Sequence, residues 1–194
     1  MKFLRLATVL CTALIATACL PVTSTVPVGS SVGFTPDPAL TGMWKGHGED
    51  PRQAGYLSFF PQDDGTITAL MITPDGKDSS WATFSLQTAT LGANRFMNAH
   101  EVLSNGKPDD DAEAQKTFPL LYRVNGDGAL VIYLLDEKAA AVAIKSGAIA
   151  GTIGQGQFGD ITLTAEPAAL DAFMATPAGR ALFVKPLILL KKMK

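Results

Sequence analysis

The stretch Trp81-Ala82-Thr83-Phe84-Ser85-Leu86-Gln87 alternates in character along its length. Ala82, Phe84 and Leu86 fall on one side of an extended chain, while Trp81, Thr83, Ser85 and Gln87 fall on the other. That period of two is the mark of a β-strand with one apolar face. Phe118, Leu120, Tyr122 and Val124 repeat it, with Arg123 on the opposite side. The runs Thr66–Thr73 and Ala129–Leu135 are apolar on both faces, as Leu70 and Ile72 against Ile67 and Met71 show. Both sides of those strands therefore need cover, from a β interior on one side and a helix on the other.

Working outward, eight strands are predicted: Met43–Gly46, Gly55–Phe60, Thr66–Thr73, Trp81–Thr90, Arg95–Leu103, Thr117–Asn125, Ala129–Leu135 and Asp160–Thr164. Turn chemistry separates them at Pro61-Gln62-Asp63-Asp64-Gly65, Pro74-Asp75-Gly76, Leu91-Gly92-Ala93-Asn94 and Asn125-Gly126-Asp127-Gly128. Strands joined in sequence by such turns predict a mainly β fold, an antiparallel eight-stranded up-and-down barrel. Helices are predicted over Glu137–Ser146, with Asp136 as N-cap and Gly147 as C-cap, and over Pro167–Ala175, resuming through Ala178–Phe183. Pro186–Leu190 reads as one more short strand, and Lys191, Lys192 and Lys194 as a solvated terminus.

The chain has 194 residues, 47% of them apolar, and a formal charge of −2, which gives no electrostatic case for a nucleic-acid partner. Lys2 and Arg5 precede an uncharged stretch of thirteen residues, Leu6–Ala18. At 1.5 Å per residue that stretch is too short to cross about 30 Å of hydrocarbon, so residues 1–18 read as a signal peptide. Residues 19–39, rich in Pro, Ser, Thr and Val, read as a tether, and 40–194 as the barrel domain.

Two resemblances add to this. Ala16-Thr17-Ala18-Cys19 resembles the lipobox of bacterial lipoproteins. It implies acylation of Cys19 by palmitate-like chains, a membrane anchor, and, with Leu20 following, an outer-membrane address facing the periplasm or the cell surface. Leu40-Thr41-Gly42-Met43-Trp44 looks like the Gly-x-Trp opening of the lipocalin and wider calycin barrels. In that pattern the tryptophan closes the narrow end beneath a basic residue from late in the barrel, here Arg123. The resemblance implies a small apolar or amphipathic ligand, with Trp44, Tyr56, Phe59, Trp81, Phe84, Phe96 and His100 as pocket candidates. Only some of these can face inward, since Trp81 and Phe84 lie on opposite strand faces. The opening is similar as well to small envelope barrels that inhibit proteases, which implies the alternative of a structural or protein-interaction lipoprotein without a ligand cavity.

No chemical motif is in its required context. Gly29-Ser30-Ser31-Val32-Gly33 spells the nucleophile elbow G-x-S-x-G without the strand and helix it needs. Gly154-Gln155-Gly156-Gln157-Phe158-Gly159 fits G-x-G-x-x-G but leads into a predicted strand rather than a phosphate-binding helix. His47 near Glu49 and Asp50, and His100 beside Glu101, lack metal-ligand spacing; Asp109-Asp110-Asp111 with Glu113 lacks the pattern of a calcium loop. The expectation is a binding or structural protein with no catalytic residue, metal or cofactor.

Overall fold

A computed structural model describes residues 22–47, 54–75, 78–108, 116–154 and 160–193. The signal-peptide and Cys19 expectations, Glu49, Asp50, the acidic run at 109–113 and residues 155–159 of the glycine-rich motif lie outside the described residues. In chain order the elements are β1 (Thr23–Ser24), β2 (Gly42–His47), β3 (Ala54–Pro61), β4 (Ile67–Asp75), β5 (Asp78–Leu91), β6 (Asn94–Ser104), β7 (Lys107–Pro108), β8 (Phe118–Val124) and β9 (Ala129–Leu134). They continue with α1 (Glu137–Lys145), β10 (Gly151–Ile153), β11 (Ile161–Leu163), α2 (Pro167–Met174), α3 (Pro177–Arg180) and β12 (Lys185–Lys192).

Strands β2, β3, β4, β5, β6, β8, β9 and β12 pair in that order, each antiparallel to the next. Pairing of β12 with β2 closes an eight-stranded up-and-down barrel, as predicted. Closure removes the free edges that an open sheet would expose. The eighth strand is not the predicted one, however. Asp160–Thr164 contributes only the three-residue β11, which joins β1 and β10 in a separate small sheet. The run read as a short extra strand at Pro186–Leu190 extends to Lys185–Lys192 and takes the eighth place, bonded to β9 on one side and β2 on the other. Lys191 and Lys192 are thus barrel residues rather than a solvated tail.

Alternation sorts the side chains into two cores. Inside the barrel Trp44, Phe59, Ile67, Leu86, Met97, Tyr122, Leu130, Ile132 and Leu190 are buried together. Outside it, Phe96, Leu121 and Leu135 meet Ala140 of α1, Leu170 and Met174 of α2, and Phe183. Phe96 and Phe183 tilt against each other at 5.7 Å. The helices start where the caps dictate: the Asp136 carboxylate accepts from the Ala139 N–H, and Pro167 occupies the first turn of α2. Gly147, at φ 73°, ends α1 in the left-handed conformation that glycine adopts without strain.

Residues 22–39 are the main correction to the sequence reading, because they are docked rather than a free tether. Val22 and Val28 are buried in the outer core, and β1 pairs with β11. Asn98 binds Val28 with both ends of its amide, accepting from the Val28 N–H at 2.7 Å and donating to the carbonyl at 2.8 Å. Asp171 of α2 accepts from the Gly29 N–H at 2.6 Å, the Ser31 N–H at 2.9 Å and the Ser31 hydroxyl at 2.5 Å. Thr35 and Thr88 exchange hydrogen bonds as well. This strap runs down the outer wall and ends at Leu40, which is buried against Trp44 inside the barrel.

Candidate functional site at the open end of the barrel

One end of the barrel is sealed. Trp44 is 1% exposed and its Nε1–H donates to the Leu40 carbonyl at 2.7 Å. The Lys192 ammonium lies 5.4 Å from the centre of the Trp44 ring. A cation over an indole face is held by the ring quadrupole. Lys192, not Arg123, is therefore the basic residue across the tryptophan. Arg123 points outward and lies 5.6 Å from the Tyr133 ring, because its neighbours Tyr122 and Val124 take the inward positions of β8.

The strap completes the seal. Asp37 accepts from the Tyr122 hydroxyl at 2.7 Å and pairs with Arg95 at 3.2 Å, while its other oxygen accepts from the Ala39 N–H. Burial pushes the Tyr122 phenol above its ordinary value; the hydrogen bond to Asp37 and that carboxylate's charge push the same way, and Arg95 opposes them. A cavity of about 230 Å³ adjoins this group, lined by Thr35, Asp37, Thr88, Thr90, Arg95 and Tyr122 among others. It is smaller than a typical ligand pocket, and its charges already satisfy each other.

The opposite end is built differently. Leu57, Met71, Phe84, Phe118, Leu134 and Ile188 share the inward faces of their strands, and all six are only half-buried. Toward the sealed end the inward apolar residues are fully buried, apart from Val124 at the rim. Glycine shapes the wall of the open end. A Cβ added at Gly55 would meet nothing closer than the Ile72 carbonyl oxygen at 3.9 Å, whereas Leu190 and Ile188 close over the paired Gly46. A bulge adds Val102 to β6 at this end, since Glu101 and Leu103 pair with the consecutive residues Phe84 and Thr83. Among the described residues, the result is a ring of partly exposed apolar side chains, the mouth, above a packed floor.

Of the sequence candidates, Trp44 and Phe59 belong to the packed floor and Phe84 to the mouth. Tyr56 and Trp81 lie on the outer wall, paired through Ile72. Phe96 is outside too, fully buried under the helices, and His100 shares its side of β6. These four cannot line the interior, because each strand's inward set has the other parity. The side chain of His47 lies outside the described set. Ser31 lies in a run of turns and donates directly to Asp171, so G-x-S-x-G here forms a docking contact. Among the described residues, no group of three or more His, Cys, Asp or Glu side chains could hold a metal ion, and no helix is long and apolar enough to cross a membrane. Protein-family models, curated proteins and solved structures were compared with the chain, and none matches it.

Proposed function

We propose that this protein is an envelope lipoprotein whose lipocalin-like barrel binds one end of a small apolar or amphipathic molecule. A single observation carries the reading: six inward apolar side chains stay partly exposed at one end while the other end is sealed. Apolar surface left open in a concavity gains free energy when a ligand covers it, at roughly 25 cal/mol per Å². The packed floor limits entry to part of a ligand, such as the end of an acyl chain, with its polar end left in solvent. The Gly-x-Trp opening and Lys192 over Trp44 support the lipocalin-like assignment. Binding rather than catalysis is the proposed role.

Titration with a dansyl-labelled fatty acid tests this. Saturable binding with enhanced emission is expected, weakened about tenfold by Phe118→Ser, which removes a phenyl group worth roughly 1.5 kcal/mol or more of apolar contact. Arg123→Gln, on the outer wall, should leave it unchanged. A folded protein with no saturable binding overturns the ligand reading. The packed floor itself favours the second reading, a structural or protein-interaction barrel, including a protease-inhibitor-like one. The proposed anchor has a separate test: Cys19→Ser should abolish metabolic fatty-acid labelling of the protein, and labelling that persists would remove the lipoprotein assignment.

A further inference from the structure

The helices and the strap cover the barrel wall formed by β6, β8 and β9. The strap also covers the end of β5 that carries Ala89 and Leu91. The wall formed by β12, β2, β3, β4 and the Trp81–Thr83 part of β5 carries no described residue of that outer core, and its outward residues form ordered rows. One row runs Lys191, Lys45, Tyr56, Ile72, Trp81 across five strands, each residue directly opposite the next. The adjacent row runs Met43, Ser58, Leu70, Thr83. Met43, Phe60 and Leu189 are 47%, 49% and 54% exposed on this wall. Large apolar side chains grouped with tyrosine, tryptophan and lysine are the composition of a contact surface.

Charge says what the contact is with. Lys45 and Lys191 face each other across the β2–β12 ladder, and like charges directly opposite destabilise a sheet. Neither forms an ion pair with a carboxylate among the described residues; Lys45 lies only over the Tyr56 ring, at 5.8 Å. No described outward side chain on these five strands is acidic, and Asp63 and Asp64 sit in the turn beyond Phe60 at the sealed end. Two copies of this wall would bring together faces that both carry only positive charge among the described residues, which argues against self-association. An extended anionic surface would instead relieve the repulsion and accept the aromatic side chains.

We propose that this wall docks on an anionic lipid surface, with Lys45 and Lys191 at the phosphates and Met43, Tyr56 and Trp81 at the headgroup boundary. Tyrosine and tryptophan suit that boundary because one end is apolar and the other wet. Near the start of the strap Ser24 bridges Thr117 beside β8, four strands from β3 in either direction round the ring. This proposal does not rest on acylation of Cys19.

The test is flotation of residues 19–194 carrying Cys19→Ser, the chain without the proposed signal peptide, with phosphatidylcholine vesicles, with and without phosphatidylglycerol. Binding is expected only to the anionic vesicles, accompanied by a blue shift of Trp81 emission that Trp81→Phe removes while buried Trp44 continues to emit. The double variant Lys45→Gln/Lys191→Gln should bind roughly thirtyfold more weakly, from about 1 kcal/mol per lysine. Its melting temperature should be no lower, which separates lost docking from lost folding. Equal binding to both vesicle types, or unchanged binding by the double variant, overturns the proposal. So does a concentration-dependent dimer that the same substitutions abolish, since that would assign the wall to a protein partner.

Discussion

Trp44 has two jobs that separate by substitution. Its indole fills the sealed end, and its N–H satisfies the Leu40 carbonyl, which is buried with the strap's last turn. Trp44→Phe keeps an aromatic ring but orphans that carbonyl and leaves a void, so a loss of about 2–4 kcal/mol in denaturant unfolding is expected. Tyr122 makes a prediction in pH. Its folded pKa lies above the ordinary 10.0, so the unfolded chain releases this proton first as pH rises. Stability from this group is fully present below pH 10.0 and falls above it. The denaturant midpoint should therefore drop more steeply above pH 10 in the wild type than in Tyr122→Phe; parallel curves would show that Tyr122 titrates alike in both states. Gly-x-Trp made the inward position of Trp44 readable from sequence. The sequence reading assigns its cation to Arg123 because Lys192 reads as part of a solvated tail, although Leu190 and Lys192 share a strand face at period two.

At the scale of elements, the strap shows how a segment of low apolar content can be ordered by groups elsewhere in the chain. Its backbone donors are satisfied by Asn98 and Asp171, which are 70 and 142 residues away from their partners Val28 and Gly29. Nothing local in a Pro/Ser/Thr-rich run reveals such partners, so the tether reading followed from composition and was overturned by tertiary contacts. A faint signal did exist: Asp171 adjoins the apolar stripe of α2 and is 4% exposed. Asp171→Ala removes the acceptor for three donors and should destabilise the protein by roughly 2–4 kcal/mol. Amide exchange at Gly29 and Ser31 should accelerate before that of β8. If exchange at the two amides is unchanged while the whole domain loosens, Asp171 supports α2 rather than the strap. Gly29 is fixed by close approach as well as by its φ of 95°, because a Cβ there would lie 2.1 Å from the Ala89 Cβ.

For the whole molecule, alternation and turns made the barrel and its strand number legible, because each strand's inward set is written within that strand. Which run closes the ring was not, since Asp160–Thr164 and Pro186–Leu190 read as short strands of the same length. Length decides it physically: three residues cannot span a wall that eight residues bridge. Closure also makes stability depend on β12 more than its size suggests. It is bonded to β9 and β2 at once, and Leu190 inserts fully buried into the inner core. Removing residues 185–194 would expose two ladder edges and the apolar interior together, and no neighbouring strand can reach across the gap. Such a truncation should lose the cooperative unfolding transition and aggregate, whereas removing Lys194 alone should leave the transition in place. Adding the β12 sequence back as a separate peptide should partly restore cooperative unfolding, with a peptide-concentration-dependent midpoint, because binding to the folded state alone stabilises it by mass action. Cooperative unfolding of the truncated chain without the peptide would mean that the remaining strands form a stable open sheet, and that closure is not what holds this fold together.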